Sequence, residues 1–152
     1  MPYLIDGHNL IPKIPGIQLN HLDDELSLFA ILDNYFKQIR KKGVVYFDHA
    51  SHGAPTVPNT AYLQAHFVRK PSSADEAILL RLNELGGDAR NYTIVTSDHW
   101  VADNARSAGA SVVSSDDFAR TLRLHTQNSF KKLKTGDEND IDFWLDIFQS
   151  KS

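Results

Sequence analysis

Short apolar segments that end in an aspartate recur along this chain, with helical patterns between them. Three of these segments end at Asp6, Asp48 and Asp98. Each is too short for a buried helix and has the apolar character of a buried strand. Strands that alternate with helices predict an α/β fold, in which helices on both faces sandwich a parallel sheet.

The predicted elements follow one another in a regular order. Strands are predicted over 3–6, 44–48, 62–68, 92–97 and 111–114, and helices over 23–42, 73–85, 99–108 and 115–125. The segment 11–21 contains two prolines and a glycine and is predicted to be a loop. Ser73 and Glu76 have the spacing of a capping box, and Ser115 is predicted to cap the last helix.

The length of 152 residues suits a single domain with its own hydrophobic core. We expect that domain over 1–128, followed over 129–152 by a C-terminal tail that docks on it or binds a partner. No apolar run approaches the roughly 20 residues of a membrane span, and the N-terminus has no signal-peptide pattern. We therefore expect a cytoplasmic protein.

The strand-end aspartates are predicted to lie close together. In a parallel sheet the carboxyl ends of the strands share one edge, where open α/β folds bind ligands. Asp75, in the first turn of a predicted helix, and Asn9, three residues after Asp6, can reach the same edge. Clustered carboxylates repel one another unless neutralised, and hard divalent cations prefer oxygen ligands. The pattern predicts a Mg²⁺ or Mn²⁺ site formed by Asp6, Asp48, Asp75 and Asp98.

Each of these aspartates alone has a simpler explanation, because aspartate commonly caps a helix that follows a strand. Their occurrence at equivalent positions favours a shared site over separate caps. The net charge of −3 argues against RNA binding by bulk charge, but a cation on the aspartates would leave the remainder slightly positive. Trp100 is expected to pack against the sheet rather than stack on a base.

Three motifs together resemble a known family. They are Ile5-Asp6-Gly7-His8-Asn9, Ser73-Ala-Asp75-Glu76 and Val95-Thr96-Ser97-Asp98. Over about residues 1–125 they resemble, in order and spacing, the NYN domains of the PIN-like nuclease superfamily, particularly the YacP-like branch. The resemblance implies a PIN-like architecture and a metal-dependent endoribonuclease that uses Mg²⁺ or Mn²⁺ to hydrolyse RNA phosphodiester bonds.

The resemblance also implies roles for individual residues at the metal site. Asp6, Asp75 and Asp98 correspond to the metal-binding carboxylates and, with Asn9, are the expected catalytic residues. Asp48 corresponds to an acidic position after the second strand and is expected to support the metal.

The expected substrate-binding residues lie around these motifs. Thr96 or Ser97 would hydrogen-bond a metal-bound water or the scissile phosphate. Arg69 and Lys70, close to the helix that bears Asp75, would bind the RNA backbone. His8 occupies a position where the YacP-like branch usually has tyrosine, and is expected to influence substrate binding.

Two other functions share parts of this sequence pattern. A phosphatase of the haloacid dehalogenase type needs a second aspartate two residues after its nucleophile, where this chain has His8. A non-catalytic RNA-binding or scaffold module with the same fold stays open as the alternative. The expected partner is single-stranded or messenger RNA, with ribosome association and homo-oligomer formation left open.

Overall fold

The computed structural model describes residues 2–14, 22–48, 59–69 and 71–133. Lys70 and nearly all of the predicted tail lie outside these ranges. Five strands are described: β1 (Tyr3–Asp6), β2 (Gly43–Phe47), β3 (Leu63–Phe67), β4 (Thr93–Val95) and β5 (Ser111–Val113). The α-helices are α1 (Gly7–Leu10), α2 (Leu22–Ile39), α3 (Ala74–Leu85), α4 (His99–Ser107) and α5 (Ser115–Leu133). None of the helices within the described ranges is long and apolar enough to cross a bilayer.

All the strands run parallel in one sheet, in the order β3-β2-β1-β4-β5. The chain starts at the central strand, adds two strands on one side and then returns to add two on the other. The strand order therefore reverses between β1 and β4. In open α/β sheets the carboxyl ends of the strands at such a reversal form a crevice that binds ligands.

Helices cover both faces of the sheet, as the sequence predicts. On one face, Phe36 of α2, Phe118 of α5 and Ile5 of the central strand belong to one buried cluster. On the other face, Ile78 of α3 and Val101 of α4 belong to a second buried cluster. Because successive strand residues point to opposite faces, Ile5 belongs to the first cluster and Leu4 to the second.

The strands and the longer helices are confirmed, with ends that differ from the predicted ends by a few residues. The region after β1 is different, because α1 and a 3₁₀ turn (Ile11–Lys13) occupy part of the chain expected to form a loop. The cap of α5 also differs. Ser114, not Ser115, accepts the hydrogen bond from the backbone N–H of Asp117, at 3.1 Å.

The helix α5 continues to Leu133, past the boundary at 128 that was predicted between domain and tail. That division of the chain stays a prediction.

The helix α2 ends before Gly43, at a residue with an unusual backbone. Arg40 has φ of 57°, and the N–H of Lys41 donates to the carbonyl oxygen of Phe36 at 3.1 Å. This is the left-handed position that glycine usually occupies at a helix end.

Candidate functional site

The four aspartates of the predicted site lie at the carboxyl edge of the sheet or on the helix that starts there. Asp6 is the last residue of β1, and Asp48 directly follows β2. Asp98 precedes α4 and caps it by accepting the N–H of Val101 at 3.0 Å. Asp75 is the second residue of α3. Asp6 and Asp98 therefore stand on either side of the point where the strand order reverses.

Asp6 is buried, with 1% of its surface exposed. Its Oδ2 accepts a hydrogen bond from Asn9 Nδ2 at 2.6 Å, and its Oδ1 caps α1 by accepting the N–H of Asn9 at 3.3 Å. Asn9 Oδ1 in turn accepts the N–H of Ser97 at 3.3 Å. Asn9 thus fixes the Asp6 carboxyl group and ties the end of β1 to the segment after β4.

Asp75 lies close enough to Asp6 and Asp98 for their carboxyl groups to change its pKa. The pKa of Asp6 is raised to about 7, chiefly by burial and then by the interaction with Asp75. The interaction with Asp6 lowers the pKa of Asp75. Burial and the charges of Asp98 and Asp48 nevertheless keep the pKa of Asp75 above its ordinary value.

Asp48 is held by two neighbouring segments. One carboxylate oxygen accepts the N–H of Ala74 at the start of α3. Its backbone N–H donates to His8 Nδ1 at 3.2 Å, so neutral His8 carries its proton on Nε2, 3.1 Å from Glu25 Oε1. Burial lowers the pKa of His8, but Glu25 and Asp48 outweigh this effect and leave the pKa above its ordinary value.

The His8 ring links α2 to the end of β2, and both of its nitrogens are engaged by the protein. Its side chain is 21% exposed. In the sequence, Glu25 is one of three consecutive acidic residues at the start of the helix predicted over 23–42. The hydrogen bond to His8 could not be anticipated because it joins residues that lie 17 positions apart in the sequence. A substrate-binding role for His8 stays a prediction.

The predicted metal site stays a prediction. Within the described ranges, no group of three or more His, Asp or Glu side chains is placed so that it could hold a metal ion. The donor set is nonetheless made of oxygen, as Mg²⁺ and Mn²⁺ prefer. The pKa values of Asp6 and Asp75 are raised first by burial and then by the charges of neighbouring carboxylates, and a bound cation would offset both effects.

The hydroxyl groups of Thr96 and Ser97 support the turn that carries Asp98. Thr96 is buried, and its Oγ1 accepts the N–H of Asp98 at 3.1 Å. Ser97 Oγ accepts the N–H of Ser115 at 3.3 Å. Arg69 is exposed just beyond β3 and before α3. The predicted substrate contacts of these three residues stay predictions.

The expectation that Trp100 packs against the sheet is wrong, because 58% of its surface is exposed. Val101 and Ala105 occupy the inward face of α4 and are fully buried. The sequence contains a signal for this exposure. The spacing of Val101 and Ala105 places position 100 on the outer face of the helix. An exposed tryptophan therefore lies in the first turn of the helix that Asp98 caps.

Comparisons with known proteins agree with this architecture. A family model described as the YacP-like NYN domain matches residues 3–149, which includes most of the predicted tail. The crystal structure of Rae1 (YacP) from Bacillus subtilis is similar, with a TM-score of 0.67 and 19% identity over 89% of this chain and 82% of that chain. The W164L mutant of the same protein gives a TM-score of 0.65 and 20% identity, over 90% and 85% of the two chains. No curated protein sequence matches the chain significantly.

Proposed function

Because this chain belongs to the YacP-like NYN domain family, within the PIN-like nucleases, we propose that it is a metal-dependent endoribonuclease. The observation that supports the proposal is the position of Asp6, Asp75 and Asp98 at the carboxyl edge of the sheet, where Asp75 interacts electrostatically with Asp6 and Asp98. Acidic groups gathered in a crevice, with raised pKa values, are typical of a functional site rather than of separate helix caps.

Asp6, Asp75 and Asp98 would hold one or two Mg²⁺ or Mn²⁺ ions, with Asp48 in support. A divalent cation bound to such carboxylates can activate a water molecule and stabilise the charge that develops on a phosphodiester. Asn9 keeps the Asp6 carboxyl group oriented through the hydrogen bond at 2.6 Å. Binding of the cation replaces the proton on Asp6, so we expect metal affinity to increase as the pH rises through about 7.

The proposed substrate is single-stranded or messenger RNA in the cytoplasm. Thr96 and Ser97 adjoin Asp98, where their hydroxyl protons could be donated to a phosphate oxygen. Arg69 and Lys70 precede the helix of Asp75 and are proposed to bind the RNA backbone by charge. Ribosome association and formation of a homo-oligomer are further possibilities of the same proposal.

The proposal is tested by incubating the purified protein with RNA and with single-stranded DNA in Mg²⁺, Mn²⁺ or EDTA. We expect RNA cleavage with a divalent cation, none in EDTA, and a loss of at least about a hundredfold in Asp98→Asn. The matched control is Asp88→Asn, because Asp88 is exposed in the connection before β4, at the opposite edge of the sheet. Equal cleavage by Asp98→Asn and Asp88→Asn would contradict the assigned site.

The alternative is a non-catalytic RNA-binding or scaffold module with the same fold. It is favoured by the lack, among the described residues, of a preformed coordination shell. This alternative predicts RNA binding that persists in EDTA, without turnover in any metal. The ribonuclease predicts turnover that depends on the cation.

A further inference from the structure

A cleft of about 300 Å³ opens beside Asp98. One wall is the face of α4 that carries Ala102 and Arg106, and the other is the turn from β5 to α5, with Ser114 and Asp116. The cleft is at the lower end of the size range of small-molecule sites and can admit one nucleotide unit. Because Asp98 itself lines the cleft, a group bound there is adjacent to the carboxylate cluster.

Among the described residues that line the cleft, Arg106 is the one with an Arg or Lys side chain. Asp116 forms an ion pair with Lys13, at 3.3 Å between Oδ1 and Nζ. Arg106 contacts Asp103 at 3.5 Å, but Asp103 does not line the cleft, and the two side chains are 62% and 77% exposed. An ion pair so exposed contributes little free energy. The Arg106 guanidinium group can therefore exchange this partner for a phosphate group at small cost.

Hydroxyl groups at the cleft provide further donors. Ser97 Oγ accepts the backbone N–H of Ser115, and Ser114 Oγ accepts that of Asp117. Each serine oxygen is thus an acceptor within the protein, and its own proton can be donated to another group. Both residues line the cleft, where phosphate or ribose oxygens would be the acceptors.

We propose that this cleft holds the nucleotide next to the scissile phosphate, with Arg106 binding the phosphate group of that nucleotide. The inference rests on the proposed ribonuclease function and adds to it a binding subsite for one nucleotide beside the scissile phosphate. Arg106 acts in substrate binding and has no contact with the metal site.

The first test measures binding of a fluorescein-labelled single-stranded RNA 12-mer by anisotropy. Every protein carries Asp75→Asn so that the RNA stays intact. We expect Arg106→Ala to weaken binding about tenfold and to reduce the salt dependence by about 0.7 in the slope of log K against log salt concentration. Arg106→Lys should recover much of the affinity, because it retains the charge.

The matched control is Arg120→Ala. Arg120 forms the same kind of pair, with the aspartate three residues before it, at 3.6 Å and with 66% of its side chain exposed. It does not line the cleft. If Arg106→Ala binds RNA as tightly as Arg120→Ala and with the same salt dependence, the subsite is refuted.

The second test replaces one phosphate of the RNA at a time with an uncharged methylphosphonate. At one position near the cleavage site, the methylphosphonate should weaken binding to the protein that retains Arg106. The same replacement should have little effect on binding to Arg106→Ala. Equal effects on both proteins at every position would contradict the assignment.

If the otherwise unmodified chain neither cleaves nor binds RNA, the proposed function and the subsite both fail. If it cleaves RNA but Arg106→Ala behaves as the control does, only the subsite fails.

Discussion

Replacing Asp75 with asparagine should stabilise the metal-free protein at pH 8 while changing its stability little at pH 5. The pKa of Asp6 rises from 3.8 to about 7 on folding, through burial and through Asp75. Between these values the unfolded chain releases the Asp6 proton and the folded chain retains it. The free energy of unfolding therefore falls as the pH rises, and the loss is complete above about pH 7.

The full pKa difference corresponds to about 4 kcal/mol of unfolding free energy. Burial is its largest cause and persists in the variant, whereas the hydrogen bond and charge of Asp75 are changed. We therefore expect Asp75→Asn to recover about 1–2 kcal/mol at pH 8. At pH 5 Asp6 holds its proton in the folded protein, so the gain should nearly vanish.

The assay is urea unfolding followed by circular dichroism, in EDTA, at both pH values. Asp88→Asn is the control, because it removes an exposed charge at the opposite edge of the sheet. For each variant, the quantity of interest is its unfolding free energy minus that of the unmodified protein. The reasoning is refuted if this difference increases from pH 5 to pH 8 no more for Asp75→Asn than for Asp88→Asn. Addition of Mn²⁺ at pH 8 should stabilise the unmodified protein, by about 2.7 kcal/mol at a hundred times its Kd, and should stabilise Asp75→Asn less.

Three further predictions concern single positions around the site and α2. Gly7→Ala should destabilise the fold by about 1–3 kcal/mol in urea unfolding, because a Cβ there would lie 2.5 Å from the Phe47 ring; an unchanged midpoint would contradict this close approach. Arg40→Gly should stabilise the fold by about 0.5–1 kcal/mol, because φ is 57° at this helix end, and a loss of thermal stability would show that the arginine side chain matters more than the backbone. Glu25→Gln should lower the pKa of His8, since the Glu25 carboxylate raises it. An NMR titration of the His8 ring measures this, and an unchanged pKa would count against the ion pair.

The sequence is sufficient to predict the strands, the longer helices and the positions of the aspartates near strand ends, but not α1 or the contacts between neighbouring segments. Apolar spacing indicates each strand and helix, and Asp6, Asp48 and Asp98 follow strands by sequence position alone. The placement of β1 at the centre of the sheet depends on packing between distant segments, which local patterns do not encode. For the same reason, two hydrogen bonds are visible only in the structure. One is donated by the Ser97 N–H to Asn9 Oδ1, and the other joins His8 Nε2 to Glu25 Oε1.

The capping of α5 shows a limit of a different kind. Ser114 and Ser115 are adjacent and chemically identical, so residue preference could not distinguish them. The structure uses Ser114 as the cap, while the Ser115 N–H donates to Ser97. The choice therefore depends on the contact with the segment after β4.

The separation of the site residues along the chain has a consequence for the newly synthesised protein. Asp6 is on the first strand, whereas Asp98 follows the fourth, and they meet only when β4 has docked against β1. A nascent chain that lacks β4 has no complete carboxylate cluster. On the proposed activity, the growing chain cannot cleave RNA until β4 and Asp98 have been synthesised and have docked against β1.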